Sequence, residues 1–166
     1  MARRGHELAA PAAAATTRWN AVARVSSSVA TRTGGALGVE RGTARAQVAL
    51  EVGGVAGGAA DAMPGVRLTA VPVRACAATG RDLALRACAL AEPLWVTGGT
   101  GDVTTLLGGS IAGTGRTVVD GVELIYQVGI DLHGNGVDYR WADQAVLTTP
   151  WLAVWTGLGV QWEGGP

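Results

Sequence analysis

The sequence predicts an all-β fold: an antiparallel sandwich or barrel of six to nine short strands with a flexible N-terminal arm. Polar and apolar residues alternate in several segments, which is the period of a strand with one buried face. Glycine makes up 26 of the 166 residues, and its clusters separate these segments as turns. Phe is absent and Trp occurs six times, so Val, Leu, Ala and Trp are expected to fill the core.

The chain divides near residue 40 into parts of opposite charge. Residues 1–45 contain seven Arg against two acids, whereas residues 46–166 contain six Arg against eleven acids. Because residues 1–40 are rich in Ala, Ser, Thr and Gly and lack periodicity, we assign them to a basic arm and residues 41–166 to a β domain. The arginines are scattered singly, so the arm is expected to dock on an acidic protein surface and no nucleic acid is expected as a partner.

Strands are predicted at three places in the first half of the β domain. Residues 43–52 alternate polar and apolar side chains. A Gly-rich loop follows, and Val66–Ala77 then alternates again. Pro72 predicts that this second strand lies at a sheet edge, since proline cannot donate to a hydrogen-bond ladder. Residues 82–90 alternate in phase and predict a third strand, with a helix over almost the same residues as the alternative.

The two cysteines form no metal-binding or redox motif. Cys76 and Cys88 follow identical Arg-Ala dipeptides on either side of a predicted turn. A tight hairpin centred on Thr79-Gly80 pairs Cys76 with Leu83 instead of Cys88. A reduced, cytosolic chain is therefore the expectation, and a single disulfide through a longer turn is the alternative.

A hairpin is predicted between Val118 and Asp143. Asn135-Gly136 favours a type I′ turn, because both residues tolerate positive φ. Centring the hairpin there predicts five cross-strand pairs: Leu132 with Tyr139, Ile130 with Trp141, Val128 with Asp143, His133 with Asp138, and Asp131 with Arg140. One face of this hairpin is apolar and aromatic, whereas the other carries complementary polar pairs.

No motif in the sequence predicts catalysis, a cofactor or a metal. The stretch Asp131–Asp138 resembles the start of a calcium-binding loop, but His133 occupies a ligand position and Ala142 stands where the bidentate Glu belongs. Residues 113–117 resemble the end of a phosphate-binding loop but lack its Lys. We therefore predict that the protein is not an enzyme and has no catalytic, cofactor-binding or metal-binding residues.

Tryptophans near the C-terminus are the candidate interaction surface. Trp151, Trp155 and Trp162 fall in the last 16 residues, and Trp151 and Trp155 share a strand face. They are interpreted either as core residues that replace Phe or as an exposed interface or ligand surface.

The sequence predicts no membrane segment. It contains no run of 18 apolar residues. Arg3-Arg4 could begin a twin-arginine signal, but Thr16, Thr17 and Arg18 interrupt the alanine-rich stretch that follows. No membrane partner and no signal peptide are therefore expected.

The stretch Val137–Asp143, followed by Trp151–Trp155, resembles the β-rich structural proteins of tailed-phage particles, of the tail or baseplate type. This resemblance implies a non-enzymatic structural or assembly subunit of a phage or phage-derived particle, in the tail, the baseplate or associated with the capsid. It also implies a homo-oligomer or contacts with other virion proteins, in the virion or the host cytoplasm. A glycan- or ligand-binding β module that uses the C-terminal tryptophans is the alternative, and an enzyme with an unrecognised site is a further one.

Overall fold

The computed structural model describes residues 14–27, 31–43, 45–58, 66–80, 82–97, 103–136, 138–141, 144–148 and 150–164. The strands in these residues are β1 (Thr16–Ser27), β2 (Thr31–Gly42), β3 (Gln47–Gly58), β4 (Arg67–Ala70), β5 (Val73–Thr79), β6 (Leu83–Thr97), β7 (Val103–Val119), β8 (Val122–His133), β9 (Asp138–Trp141), β10 (Gln144–Thr148) and β11 (Leu152–Glu163). None of the described residues belongs to a helix with the length and apolar character of a membrane span.

The strands close into an antiparallel barrel of eight wall strands. Neighbours in sequence pair along the wall, and β1 pairs with both β2 and β11, which closes the sheet. β4 and β5 together make one wall strand, because both lie between β3 and β6 and share one register on either side of Val71-Pro72. β9 and β10 form a separate two-stranded hairpin. The predicted all-β fold is confirmed, as a barrel.

The hydrogen-bond registers fix the tilt of the strands. Following the register partners once around the wall, from Ala84, returns to the same strand at Leu94, so the stagger of the barrel is ten residues. The intermediate partners are, in order, Thr114, Gln127, Gly157, Arg24, Gly34, Val55 and Ala70. For eight strands about 4.8 Å apart and a rise of about 3.3 Å per residue, this stagger corresponds to a tilt of about 40° from the barrel axis.

The two ends of the barrel differ in the length of their connections. The first end, here called the terminal end, holds the start of β1, the finish of β11 and the short links at 43–46, 80–82 and 120–121. Asp120 and Gly121 have φ of 49° and 81°, as the type I′ turn between β7 and β8 requires. The opposite loop end carries the links at 28–30, 59–66, 98–102 and 134–151.

Side chains alternate between the lumen and the outer wall in every wall strand, but with polarity opposite to that of a water-soluble protein. Charged and polar residues on the inward positions are buried, including Arg24, Arg74, Glu40, Glu51, Gln127 and Asp131. Large apolar residues on the outward positions are exposed, including Leu37, Leu50, Leu85, Ile111, Val128 and Leu158. The apolar strand faces that the sequence assigned to a core are therefore the outer surface.

Much of the predicted N-terminal arm is barrel wall. β1 and most of β2 lie within residues 1–40, and the expected boundary with the β domain falls inside β2. These strands gave no clear alternation because several outward positions, such as Ala21, Ala23 and Gly35, are small while inward positions include apolar Val22 and Ala36. Residues 1–13 lie outside the described part of the chain.

Two predictions about strands β4 to β6 need correction. The strand containing Pro72 is not at an edge, since it has neighbours on both sides; Pro72 lies in the break between β4 and β5, where its carbonyl accepts a hydrogen bond from Gly53 N at 2.8 Å. Cys76 and Cys88 form a disulfide instead of remaining reduced. They are register partners because the turn at residues 80–82 is longer than the tight turn expected.

The predicted hairpin around Asn135-Gly136 does not form. β8 pairs along its length with β7 on one side and β11 on the other, so Ile130 lies between Ile111 and Val154. β9 pairs with β10 instead. The tight type I′ turn belongs to Asp120-Gly121, and Asn135 bonds to the β7 backbone, accepting from Leu107 N at 2.7 Å.

Candidate functional site

The outer wall presents an apolar surface bounded by tryptophans at both ends. Trp19 and Trp162 are register partners near the terminal end, and both are about half exposed. Trp95 and Trp151 are exposed near the loop end. Eleven residue steps separate Trp151 from Trp162, which at about 3.3 Å per residue and a tilt of about 40° gives about 28 Å along the axis.

This geometry matches the lipid-facing surface of a membrane barrel. Such barrels carry an outward apolar band about 25 Å tall, flanked by aromatic girdles, around a polar interior. Leu158, midway along β11, is 64% exposed, an unfavourable place for Leu in water and a favourable one in lipid.

The middle of the lumen is filled by a central cluster of two arginines, two acids and one indole. Arg24 donates both terminal nitrogens to Glu51, at 2.5 and 2.6 Å. Arg74 bridges Glu51 at 3.2 Å and Asp131 at 2.6 Å. Trp155 donates its indole N–H to Asp131 at 2.9 Å. The charges in this cluster balance, and the short bidentate contact is the strongest kind of charge-assisted hydrogen bond.

The Trp155 ring also contacts both cations of the central cluster. The guanidinium carbon of Arg24 lies 4.0 Å from the ring centroid, and that of Arg74 lies 5.0 Å from it. Both distances are within the range of cation–π attraction. Trp155 is only 3% exposed, so its ring packs against both guanidinium groups inside the lumen.

A second group, the terminal cluster, fills the lumen toward the terminal end. Glu40 accepts hydrogen bonds from Arg86 and Arg116, both at 2.9 Å. Gln161 links to both sides of this pair, accepting from Arg116 at 2.9 Å and donating to Glu40 at 3.2 Å. Glu123 lies 3.9 Å from Arg116. Five wall strands, β2, β6, β7, β8 and β11, thus contribute side chains to this cluster.

Toward the loop end the lumen contains a third ion pair and then an apolar plug. Arg32 donates to Glu92 at 2.5 Å, and His133 lies 4.0 Å from the same carboxylate. The His133 ring also lies 3.4 Å from the Pro150 carbonyl oxygen. Beyond it, six buried apolar residues from β3, β4, β6 and β7 pack together: Val55, Leu68, Ala70, Leu94, Val96 and Leu106.

Four layers of side chains occupy the lumen. The interior of an eight-stranded barrel is only wide enough for side chains, and here three charged layers and one apolar layer succeed each other along it. In the clusters, five Arg side chains meet five acids. Paired charges of this kind can remain buried, whereas an isolated one would be costly.

The structure separates the three tryptophans that the sequence grouped as a candidate surface. Trp155 is buried in the lumen, whereas Trp151 is 70% exposed at the loop end and Trp162 is half exposed at the terminal end. Whether Trp151 and Trp162 contact a ligand or partner stays a prediction. Asp131 and His133, from the calcium-like motif, point into the lumen and meet Arg74 and Glu92.

The buried charged residues of the lumen were not predicted from the sequence, because each charge was assumed to be exposed to solvent. The available signal was that single charged residues, such as Arg24, Glu51, Arg74 and Glu92, interrupt otherwise apolar strands. In a strand of a water-soluble protein, most residues on the solvent-exposed face are polar. Here Ala, Gly and Val share the inward face with the single charged residues.

Solved structures of similar fold are bacterial surface barrels. Neisserial surface protein A superposes with a TM-score of 0.58 at 13% identity, covering 90% of this chain and 97% of that one. The N-terminal β-barrel domain of Pseudomonas aeruginosa OprF superposes with a TM-score of 0.52 at 11% identity, covering 90% of this chain and all of that one. At this identity the likeness concerns the fold. No protein-family model and no curated protein matches the sequence.

The fold and the apolar outer wall overturn the phage interpretation. The resemblance to tail or baseplate proteins is wrong, and so are the assembly-subunit function and the virion partners inferred from it. The expected location in a virion or host cytoplasm, and the exclusion of a membrane partner, are wrong as well. The 18-residue apolar criterion describes helices, whereas a spanning strand needs only about 9–11 residues with alternate ones apolar.

Proposed function

We propose that this chain is an integral β-barrel of a bacterial outer membrane whose lumen is closed to solutes and whose loop end carries its contacts outside the bilayer. The observation that carries the proposal is the inverted polarity of the wall, with buried ion pairs inside and exposed Leu, Val and Ile outside. Such a surface would aggregate in water, since exposed apolar patches on soluble monomers are much smaller than a whole barrel wall.

Two further features support a location in the cell envelope. The Cys76–Cys88 disulfide is typical of an oxidising compartment such as the periplasm. The short links at the terminal end and the longer ones at the loop end follow the usual pattern of outer-membrane barrels, whose short turns face the periplasm. The terminal end is therefore assigned to the periplasmic side and the loop end to the cell exterior.

The filled lumen favours an anchoring role over transport, and we propose no catalytic role. Charged layers joined across the barrel, such as Arg86–Glu40–Arg116, leave no route for a solute unless they separate. The exposed loop end, including Trp151, then becomes the surface for any ligand or partner. In planar bilayers the protein is expected to show no steady conductance, and a stable open channel would overturn the closed lumen.

Membrane insertion is tested by quenching of tryptophan fluorescence with brominated lipids. The chain is folded into vesicles of phosphatidylcholine brominated near the glycerol end of the acyl chains. We expect the W19F/W162F variant to lose most of the quenching at the terminal-end girdle, because both indoles are on the outer wall. The matched W155F variant removes a lumen indole and is expected to leave quenching unchanged. Equal effects of the two variants, or a folded monomer in detergent-free buffer, would overturn the proposal.

A further inference from the structure

The disulfide occupies a position that only an unclosed barrel makes accessible to another protein. Cys76 on β5 and Cys88 on β6 are register partners on inward positions. Arg74 and Arg86, each two residues earlier on the same inward faces, belong to the central and terminal clusters. The disulfide therefore lies in the lumen, with a charged layer on either side.

Next to the disulfide, the outward face of the same hairpin contains little that would set its register. Ala75 is opposite Ala89 and Ala77 is opposite Ala87, so the two outward pairs that flank the disulfide are pairs of methyl groups. The bulkier outward pairs, Val73 with Ala91 and Thr79 with Leu85, lie at the two ends of the ladder. Aromatic, β-branched and charged pairs usually define strand register, and a slip of one residue would exchange the two faces of a strand. On the inward face, the Cys76–Cys88 bond fixes the register of the hairpin.

We propose that the Cys76–Cys88 bond is made in the β5–β6 hairpin before the barrel closes, by an oxidant protein that carries a reactive disulfide, and that it fixes the register with which this hairpin enters the wall. The inference rests on closure of the barrel and stands apart from the function proposed above. It places thiol oxidation ahead of barrel closure in the maturation of this chain.

The chemistry balances with the oxidant as electron acceptor. One cysteine thiolate of the chain attacks the oxidant's disulfide, which forms a mixed disulfide and releases one oxidant thiolate. The second cysteine thiolate then attacks the chain's own sulfur in that mixed disulfide and expels the second oxidant thiolate. Two thiols of the chain lose two electrons and two protons, and the oxidant leaves as a dithiol.

The first attack requires direct contact between a chain sulfur and an oxidant sulfur. An eight-stranded barrel has room inside for side chains only; in the closed barrel Cys76 is 8% exposed and Cys88, on an inward position, is partly buried. A folded protein cannot insert its active site between the central and terminal clusters. After closure, the thiols could react only when the wall opens, which is a rare event for central strands.

The test compares oxidation of the reduced full chain before and after folding. The chain is reduced, then either kept unfolded in urea or folded into detergent micelles, and mixed with the disulfide form of a thioredoxin-fold oxidase. Free thiols are counted by alkylation and mass spectrometry. We expect oxidation of the folded chain to be at least about 100-fold slower, in proportion to the rarity of opening. Rates within a few-fold of each other would overturn the proposal.

A matched cysteine pair controls for the detergent and for the oxidant. Arg67 and Thr97 are register partners on the neighbouring β4 and β6 segments, outward and exposed near the loop end. In the C76S/C88S background, the R67C/T97C pair is expected to oxidise at similar rates in both states. If this pair is also blocked in the folded state while the native pair remains slow, slow oxidation reflects the micelle and the proposal fails.

Two further measurements keep the proposal testable if the reduced chain folds poorly. With the oxidised protein, reduction of the native bond by a dithiol protein is expected to be at least about 100-fold slower in the folded than in the urea-unfolded state, and equal rates would contradict occlusion. The oxidised chain is also expected to fold several-fold faster than the reduced chain, because its register is preset. Equal folding rates would overturn the register role.

Discussion

Replacing Glu51 with Gln tests whether the central cluster stabilises the barrel. Glu51 neutralises Arg24 through contacts of 2.5 and 2.6 Å and Arg74 through one of 3.2 Å. The E51Q side chain keeps the shape but leaves two arginines with Asp131 as the cluster's acid. Removing one partner of a buried ion pair costs about 3–5 kcal/mol, and a Coulomb energy of about 4 kcal/mol at 4 Å with an effective dielectric constant near 20 agrees. We therefore expect E51Q to lower the free energy of unfolding by about 3–5 kcal/mol.

Equilibrium urea unfolding in detergent micelles, followed by circular dichroism, measures this loss. With a slope of about 2 kcal/mol per molar urea, the midpoint is expected to fall by roughly 2 M. The matched control is E163Q, because Glu163 is largely exposed and lies 3.7 Å from Arg18; its expected cost is at most about 1 kcal/mol. E51Q/R74Q restores the balance of charge and should recover part of the loss. Equal midpoints for E51Q and E163Q would refute the stabilising role of the network.

Other substitutions test the outer wall and the packing of single residues. L158R places a cation on the lipid-facing wall and is expected to lower the free energy of folding into vesicles by about 2–4 kcal/mol, measured by urea titration; an unchanged value would contradict lipid exposure. G115A is expected to displace the Tyr126 ring and lower thermal stability, since an added Cβ would lie 1.8 Å from that ring. G113A, on the same outward face, is the matched control, because its Cβ would meet no atom within 4 Å. Equal thermal stability of the two variants would contradict this packing. W155F keeps the ring between the two arginines but removes the N–H donor to a buried carboxylate, and a loss of about 1–3 kcal/mol in urea unfolding is expected; no loss would show that the hydrogen bond contributes nothing.

Alternation predicted the strands but not which of their faces was inside. The strand predicted over residues 82–90 forms, and its apolar face, which includes Leu83 and Leu85, is the exposed outer wall. A period of two is the same for a strand facing a protein core and for one facing lipid. Only the identity of the opposite face distinguishes them, and on β6 that face includes Arg86 and Glu92, which are paired inside the barrel.

The ion pairs of the lumen could not be predicted from the sequence, because they join residues far apart in the chain. Arg116 and Glu40 meet across 76 residues, and Arg32 and Glu92 across 60. Such contacts exist only once the sheet has closed, and they follow from the stagger of the wall, which local patterns do not contain. Turn chemistry predicted a type I′ turn at Asn135-Gly136, whereas the tight turn forms at Asp120-Gly121, because β8 pairs along its length with β7 and β11.

The ten-residue stagger has a consequence for insertions and deletions. In an open sheet an edge strand can slide to absorb a lost residue, but in this closed wall each strand is held on both sides. Deleting one residue within β8 would move every later side chain of that strand to the opposite face, placing a charge such as Asp131 in lipid. Insertions in the links at 59–66 and 98–102 do not disturb the stagger. An epitope tag placed there should preserve folding, and antibody binding to intact cells would then report which side of the membrane the loop end occupies.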